Sequence, residues 1–98
     1  MAEGSAYEVA KKGGRHAGLL RTYQGKTAEE IRRGLRSYER QVERHCQKMS
    51  SPETFVEDWV RKSSRVQQGL LRHWLEDLTR NQELVEVMRG ILQERGIH

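Results

Sequence analysis

From residue 31 onward, apolar side chains return at alternating intervals of four and three: Ile31, Leu35, Tyr38, Val42, His45 or Cys46, and Met49. On a helix turning about 100° per residue, these positions fall within an arc of roughly 100°. They form a heptad seam of the coiled-coil kind, which belongs to a helix packed lengthwise against another. Its start is marked by Thr27 before Ala28-Glu29-Glu30, a threonine N-cap with a glutamate three residues on, which is a capping box. A helix is therefore predicted over 27–50.

The last third of the chain carries a second stripe: Val66, Leu70, Leu71, Trp74, Leu78, Val85, Met88 and Leu92, widened by Leu75, Leu84 and Ile91. Its apolar direction drifts, which suits a supercoiled helix or a break near 74–81. One helix over 65–94 is the preferred reading, stopped by Gly96, with Arg95 at the negative end of the dipole. Between the long segments, Ser51-Pro52 is a cap followed by a first-turn proline, so a short helix is predicted over 52–61. It would present Phe55, Val56, Trp59 and Val60, and Ser63 or Ser64 would cap the segment that follows.

The first 26 residues are broken by Gly4, Gly13, Gly14, Gly18 and Gly25. Short helices over 5–12 and 15–24 fit between these breaks, the second carrying Leu19, Leu20 and Tyr23. Helices this short need tertiary support. The expected fold is all-α: one domain over 1–98, with a glycine-broken arm over 1–26 and a core over 27–98. That core is an antiparallel hairpin of two long amphipathic helices with short N-terminal and connecting helices, the long ones about 33 and 45 Å at 1.5 Å per residue. A bare hairpin exposes half of its stripe. Either the arm covers it or a second copy does, and a homodimer is the expectation that Asn81, polar on the seam, supports.

Composition narrows the partners. Hydrophobic residues make up 35% of the chain and charged residues 33%, enough for narrow stripes rather than a thick core. No apolar run of membrane-spanning length occurs, and Met1-Ala2-Glu3-Gly4-Ser5 has no leader pattern. Cys46 is the only cysteine, which excludes an internal disulfide. The net charge of +4 lies in the first half: residues 1–26 hold five basic and two acidic side chains, 27–50 six and four, 51–98 seven and eight. Such asymmetry points to an acidic partner.

Two clusters carry candidate chemistry. Arg33, Arg36, Arg40, Arg44 and Lys48 recur every three or four residues opposite the seam, a row suited to phosphate oxygens or simply a solvated face. Lys11-Lys12-Gly13-Gly14-Arg15-His16-Ala17-Gly18 combines glycines, positive charge and a histidine able to move protons, a set for binding and cleaving a phosphodiester, or a plain basic linker. His16 and His45 are the catalytic candidates; Lys11, Lys12, Arg15 and the helical row are the nucleic-acid-binding ones. No phosphate-loop, HExxH or paired-cysteine motif occurs, so no metal site and no cofactor are expected. His45 also reads as a core-edge histidine, Cys46 as a small buried hydrophobe, and Phe55, Trp59 and Trp74 as core rather than base-stacking rings. His73 and His98 suggest no role.

Lys12-Gly13-Gly14-Arg15-His16-Ala17-Gly18, then Gly34-Leu35-Arg36-Ser37-Tyr38-Glu39-Arg40-Gln41-Val42-Glu43-Arg44-His45, resembles the C-terminal helical regions of bacterial polymorphic toxins of the Rhs-repeat and filamentous-haemagglutinin types. The tail Gln82-Glu83-Leu84-Val85-Glu86-Val87-Met88-Arg89-Gly90-Ile91-Leu92-Gln93-Glu94-Arg95-Gly96 extends the likeness as a diffuse pattern without a catalytic signature. Where that pattern often has a proline after the second tryptophan, this chain has Leu75. The resemblance implies an effector tip, acting in the cytoplasm and delivered within a larger secreted protein, with an immunity protein as partner. Lys12, Arg15, His16 and His45 would be the positions to suspect.

The expectation is a toxin-like effector domain acting on or binding nucleic acid, RNA favoured, with a metal-independent nuclease as the enzyme class. Its alternative is a non-enzymatic helical interaction module that forms a homodimer.

Overall fold

The described residues, 5–97 of the computed structural model, form helices and turns with no strand among them. Gly4, the rest of 1–4 and His98 lie outside this range. In order, the elements are α1 (Ala6–Lys11), α2 (Ala17–Gln24), α3 (Ala28–Ser50), α4 (Pro52–Phe55), a 3-10 turn (Trp59–Arg61) and α5 (Ser64–Glu94). No helix among them is long and apolar enough to cross a membrane.

Local chemistry sets most boundaries. Thr27 accepts from the Glu30 amide at 3.1 Å, and the Glu30 carboxylate accepts from the Thr27 amide at 3.1 Å, which completes the capping box. Ser63 caps α5 through the Val66 amide at 3.2 Å. α5 then runs unbroken for 31 residues, past the stretch where a break was the alternative. Two helices end in the same reciprocal way. At α1, Gly13 stands at φ 90, its amide bonding Ala10 O while that of Gly14 bonds Val9 O. At α5, Gly96 stands at φ 73, its amide bonding Gln93 O while that of Ile97 bonds Leu92 O.

The connector departs from expectation. A single helix over 52–61 does not form. α4 stops after one turn, Val56 is extended, and Asp58 enters the left-handed region at φ 56 before the 3-10 turn. Val56 is β-branched and fits extended backbone, and aspartate tolerates a left-handed turn better than most residues. Gln67 then ties the turn to α5 by donating to the Trp59 carbonyl at 2.7 Å. Of the four apolar side chains expected to pack here, Val60 is left 82% exposed.

α3 and α5 are long and pack against each other. Contacts join Glu39 to Arg89, His45 to Asp77 and Lys48 to Trp74, so rising positions on α3 meet falling positions on α5. At one end α1 and α2 close over this pair. Tyr7, Ala10 and Leu20 join Ile31, Val87, Met88, Ile91 and Leu92 in one buried cluster, so the arm covers this part of the stripe. Covering one end of two long helices leaves the molecule elongated, 50 × 25 × 22 Å. The opposite end is less well covered. Trp59 and Trp74 stack there at 5.9 Å between centroids, while Phe55 and Val66 remain exposed.

Gly90 permits the arm to dock. A Cβ built on it would lie 2.1 Å from Tyr7 Cγ, so the ring occupies the space a side chain would need. The Tyr7 hydroxyl is buried without a hydrogen-bond partner. Burial first, and then the neighbouring Glu94 carboxylate (too poorly placed to accept a good bond from it), push the phenol up to about 12.

Gly90→Ala is expected to destabilise the fold by about 3 kcal/mol in urea titration, because the methyl must displace an aromatic ring. Gly69→Ala serves as the control: its methyl meets nothing within 4 Å, and a stabilisation of about 0.5–1 kcal/mol is expected. Equal midpoints for the two variants would refute the close docking of α1 on α5.

Candidate nucleic-acid interface

The glycine-rich segment folds into a strap rather than a cradle. Gly13 and Gly14 donate their amides to α1 carbonyls, so neither amide is free to hold an anion. Its charges are also engaged. Lys11 pairs with Glu94, and Arg15 Nε lies 2.7 Å from Glu83 Oε1. Lys12 is the lysine of this segment left exposed and without an acidic partner among the described residues.

His16 sits at φ 70 as the N-cap of α2, its side chain largely buried and its Nε2 2.9 Å from Glu83 Oε1. A carboxylate only accepts, so Nε2 carries a proton and donates it. Arg15 Nε, at 3.2 Å from the same nitrogen, therefore has no lone pair to reach there and donates to Glu83. Burial would raise the Glu83 carboxyl, but the hydrogen bonds from His16 and Arg15 outweigh it and hold the group below the usual carboxylate range. The cleft beside His16, about 290 Å³, is lined by Ala6, Val9, Arg15, His16, Glu83 and Glu86. Glu86 is occupied too, accepting from the Ala6 amide at 2.7 Å. Two carboxylates in that wall oppose a phosphodiester.

His45 is buried between the long helices. Its Nδ1 lies 2.7 Å from the Gln41 carbonyl, which only accepts, so Nδ1 carries a proton. Its Nε2 faces Asp77 Oδ2 at 3.5 Å. Asp77 also meets His73 at 3.2 Å and Arg80 at 3.4 Å, while its backbone carbonyl accepts from Asn81 Nδ2 at 2.9 Å. Asn81, expected to specify register across an interface, thus spends an amide proton on its own helix. No group of three or more His, Cys, Asp or Glu among the described residues could hold a metal ion.

The two histidines do not share a site. Their carboxylate partners, Glu83 and Asp77, stand six residues apart on α5, roughly 9 Å along the axis and about 120° around it.

The row on α3 is the surface that stays together. Arg33, Arg36, Arg40 and Arg44 are all exposed, within an arc of about 80° on the side away from the seam. None of the four has a carboxylate at ion-pairing distance among the described residues, in common with Arg21, Arg32, Arg61, Arg65 and Arg72 and unlike Lys11, Arg15, Lys26, Arg80 and Arg89; what sets the row apart is its alignment on one face. Lys48 leaves the row, half-buried with its Nζ 5.9 Å from the centre of the Trp74 ring. Cys46 is exposed, not buried, because it lies at the rim of the seam and His45 takes the inward position.

Three groups were not legible as partners in advance: Glu83, Glu94 and Asp77. Glu83 and Glu94 meet their partners, and Asp77 meets His45, across long stretches of sequence, so no local pattern pointed to them.

Glu83 contributes stability that is complete above its unfolded value of about 4.3 and is lost as pH falls through its lower native value. Glu83→Gln is therefore expected to lower stability at pH 7 and to flatten the acid limb of the pH–stability curve. An acid limb identical to that of the parent would mean that the contact with Arg15 and His16 does not form in solution. No family model, no curated protein and no solved structure matches this chain.

Proposed function

We propose that this chain is the nucleic-acid-binding domain of a toxin-like effector, with the outer face of α3 holding phosphates. The observation that carries the reading is the unpaired arginine row. Arg36, Arg40 and Arg44 are like charges at successive i,i+4 positions, each pair costing a helix about 0.2–0.5 kcal/mol. Elsewhere in the chain several basic groups have an acid opposite them; along this row an external anion would serve instead. In this reading α3 and α5 form an antiparallel hairpin that keeps the row straight.

The effector role comes from the resemblance of the sequence to polymorphic toxins, and so does a cognate immunity protein. Cleavage by His16 belongs to the same reading, although the Glu83 and Glu86 carboxylates beside it favour binding over turnover.

A second reading rests on a different surface. Phe55, Val60 and Val66, around the connector, are exposed, as they would be on an interaction module whose far end is covered by a second copy. Sedimentation that stays strictly monomeric at high micromolar concentration would remove that reading.

The phosphate face is tested with Arg36→Gln/Arg40→Gln, which alters two exposed positions. Fluorescence anisotropy with a labelled oligonucleotide is expected to show weaker binding and a salt slope reduced in magnitude by about 1.4–1.8. An unchanged affinity and slope would place any binding elsewhere. Induced expression in bacteria tests the effector part: growth arrest relieved by His16→Ala supports cleavage, and normal growth with intact RNA counts against it.

A further inference from the structure

What an arginine face can hold depends on what else stands on that face. Single-strand binders combine positive charge with aromatic rings on which bases stack. Here the rings are committed to packing. Tyr7 lies on Gly90, Tyr23 lies on Gly34 and shares a cleft with Arg33 at the start of the row, and Tyr38 packs against the core. Trp59 and Trp74 stack on each other. Phe55 is exposed, but it shares a cleft with Glu43, Cys46, Gln47 and Thr54 at the C-terminal end of the row rather than standing between the arginines. The face around the row offers Glu29, Arg32, Glu43 and Gln47 instead, all exposed.

The row is also straight and open. Arg33 to Arg44 span about 16 Å of helix axis at 1.5 Å per residue, on a cylinder about 10–12 Å wide with side chains. α1 and α2 pack chiefly on α5 and on each other, and α2 reaches α3 through Tyr23 at Gly34, so the outer face from Arg36 to Arg44 stays clear. The major groove of B-form DNA, about 12 Å wide, admits such a helix, whereas the A-form RNA groove is too deep and narrow.

We infer that the outer face of α3 is a site for double-stranded DNA, entering the major groove with Arg33, Arg36, Arg40 and Arg44 reaching phosphates of both rims. This rests on the phosphate-binding reading above and departs from the preference for RNA drawn from the sequence. Glu29 and Glu43 stand exposed on the same face and repel the backbone there, so the contacts fall to the four aligned arginines, with Arg32 at the edge of the face. Binding is then only weakly dependent on base sequence, because position along the duplex is set by the backbone.

The test uses the full chain with three labelled ligands of equal length: a DNA duplex, an RNA duplex and a single-stranded RNA. Anisotropy is read from about 50 to 200 mM salt. The DNA duplex is expected to bind at least about tenfold more tightly than either RNA, with a slope of log affinity on log salt near −3.6 for four contacts. Arg36→Gln/Arg40→Gln, with its helicity checked by circular dichroism, is expected to bring that slope to about −1.8. Single-stranded RNA or the RNA duplex binding as well as DNA would overturn the duplex inference and leave phosphate binding standing. Binding to none of the three would remove the phosphate-binding reading itself.

Discussion

The contact between the Tyr7 ring and the bare backbone of Gly90 is the constraint on which the arrangement turns. α1 has six residues and α2 eight, too few to persist alone in water. They are held because a ring fits where α5 lacks a side chain, and because carboxylates on α5 reach back to them: Glu86 to the first amide of α1, Glu94 to Lys11, Glu83 to Arg15 and His16. Docking chiefly on α5, with Tyr23 laid against Gly34 of α3, has a second effect. It leaves the basic outer side of α3 uncovered, so the packing choice of the arm and the openness of the row have one cause.

Electrostatics divide along the same line. The last third of the chain carries an excess of acid, and much of it is spent on the arm and on the α3–α5 contact. A basic loop that suggested an anion site is thereby neutralised from within the molecule at Lys11 and Arg15, while the row, facing away from α5, is not. The two clusters look alike as strings of residues, and only their position relative to α5 separates them.

Legibility followed the range of each interaction. The Thr27–Glu30 box, the Gly13-Gly14 stop, the Ser63 cap and the side of α3 that bears the arginines were all readable, because each depends on residues within a turn or two of one another. The left-handed Asp58 was not, since nothing near it distinguishes the broken connector from a short amphipathic helix. Gly90 carried a signal that periodicity passes over. A glycine within a good helix costs about 1 kcal/mol against alanine, which marks a place for close approach, but Gly69 in the same helix bears the same mark with nothing within 4 Å. Which ring would approach could not be read, because Tyr7 lies 83 positions away along the chain. Cys46 and Lys48 show the limit at the seam: one residue of rotation decides which of His45 and Cys46 turns inward, and whether a lysine faces solvent or a tryptophan.

The one-sided placement of the core also has a thermal consequence. The fully buried side chains Ile31, Val87 and Met88 sit at one end, whereas the other end is closed by a tryptophan pair and a cluster of charged groups. Cooperativity should therefore be graded along the long axis: amide protons around the connector exchange through small openings, and those of the last three turns of α5 only when the whole chain unfolds. The arginine row spans both regimes, so a rigid anion laid along it would lend the order of the firm end to the loose one.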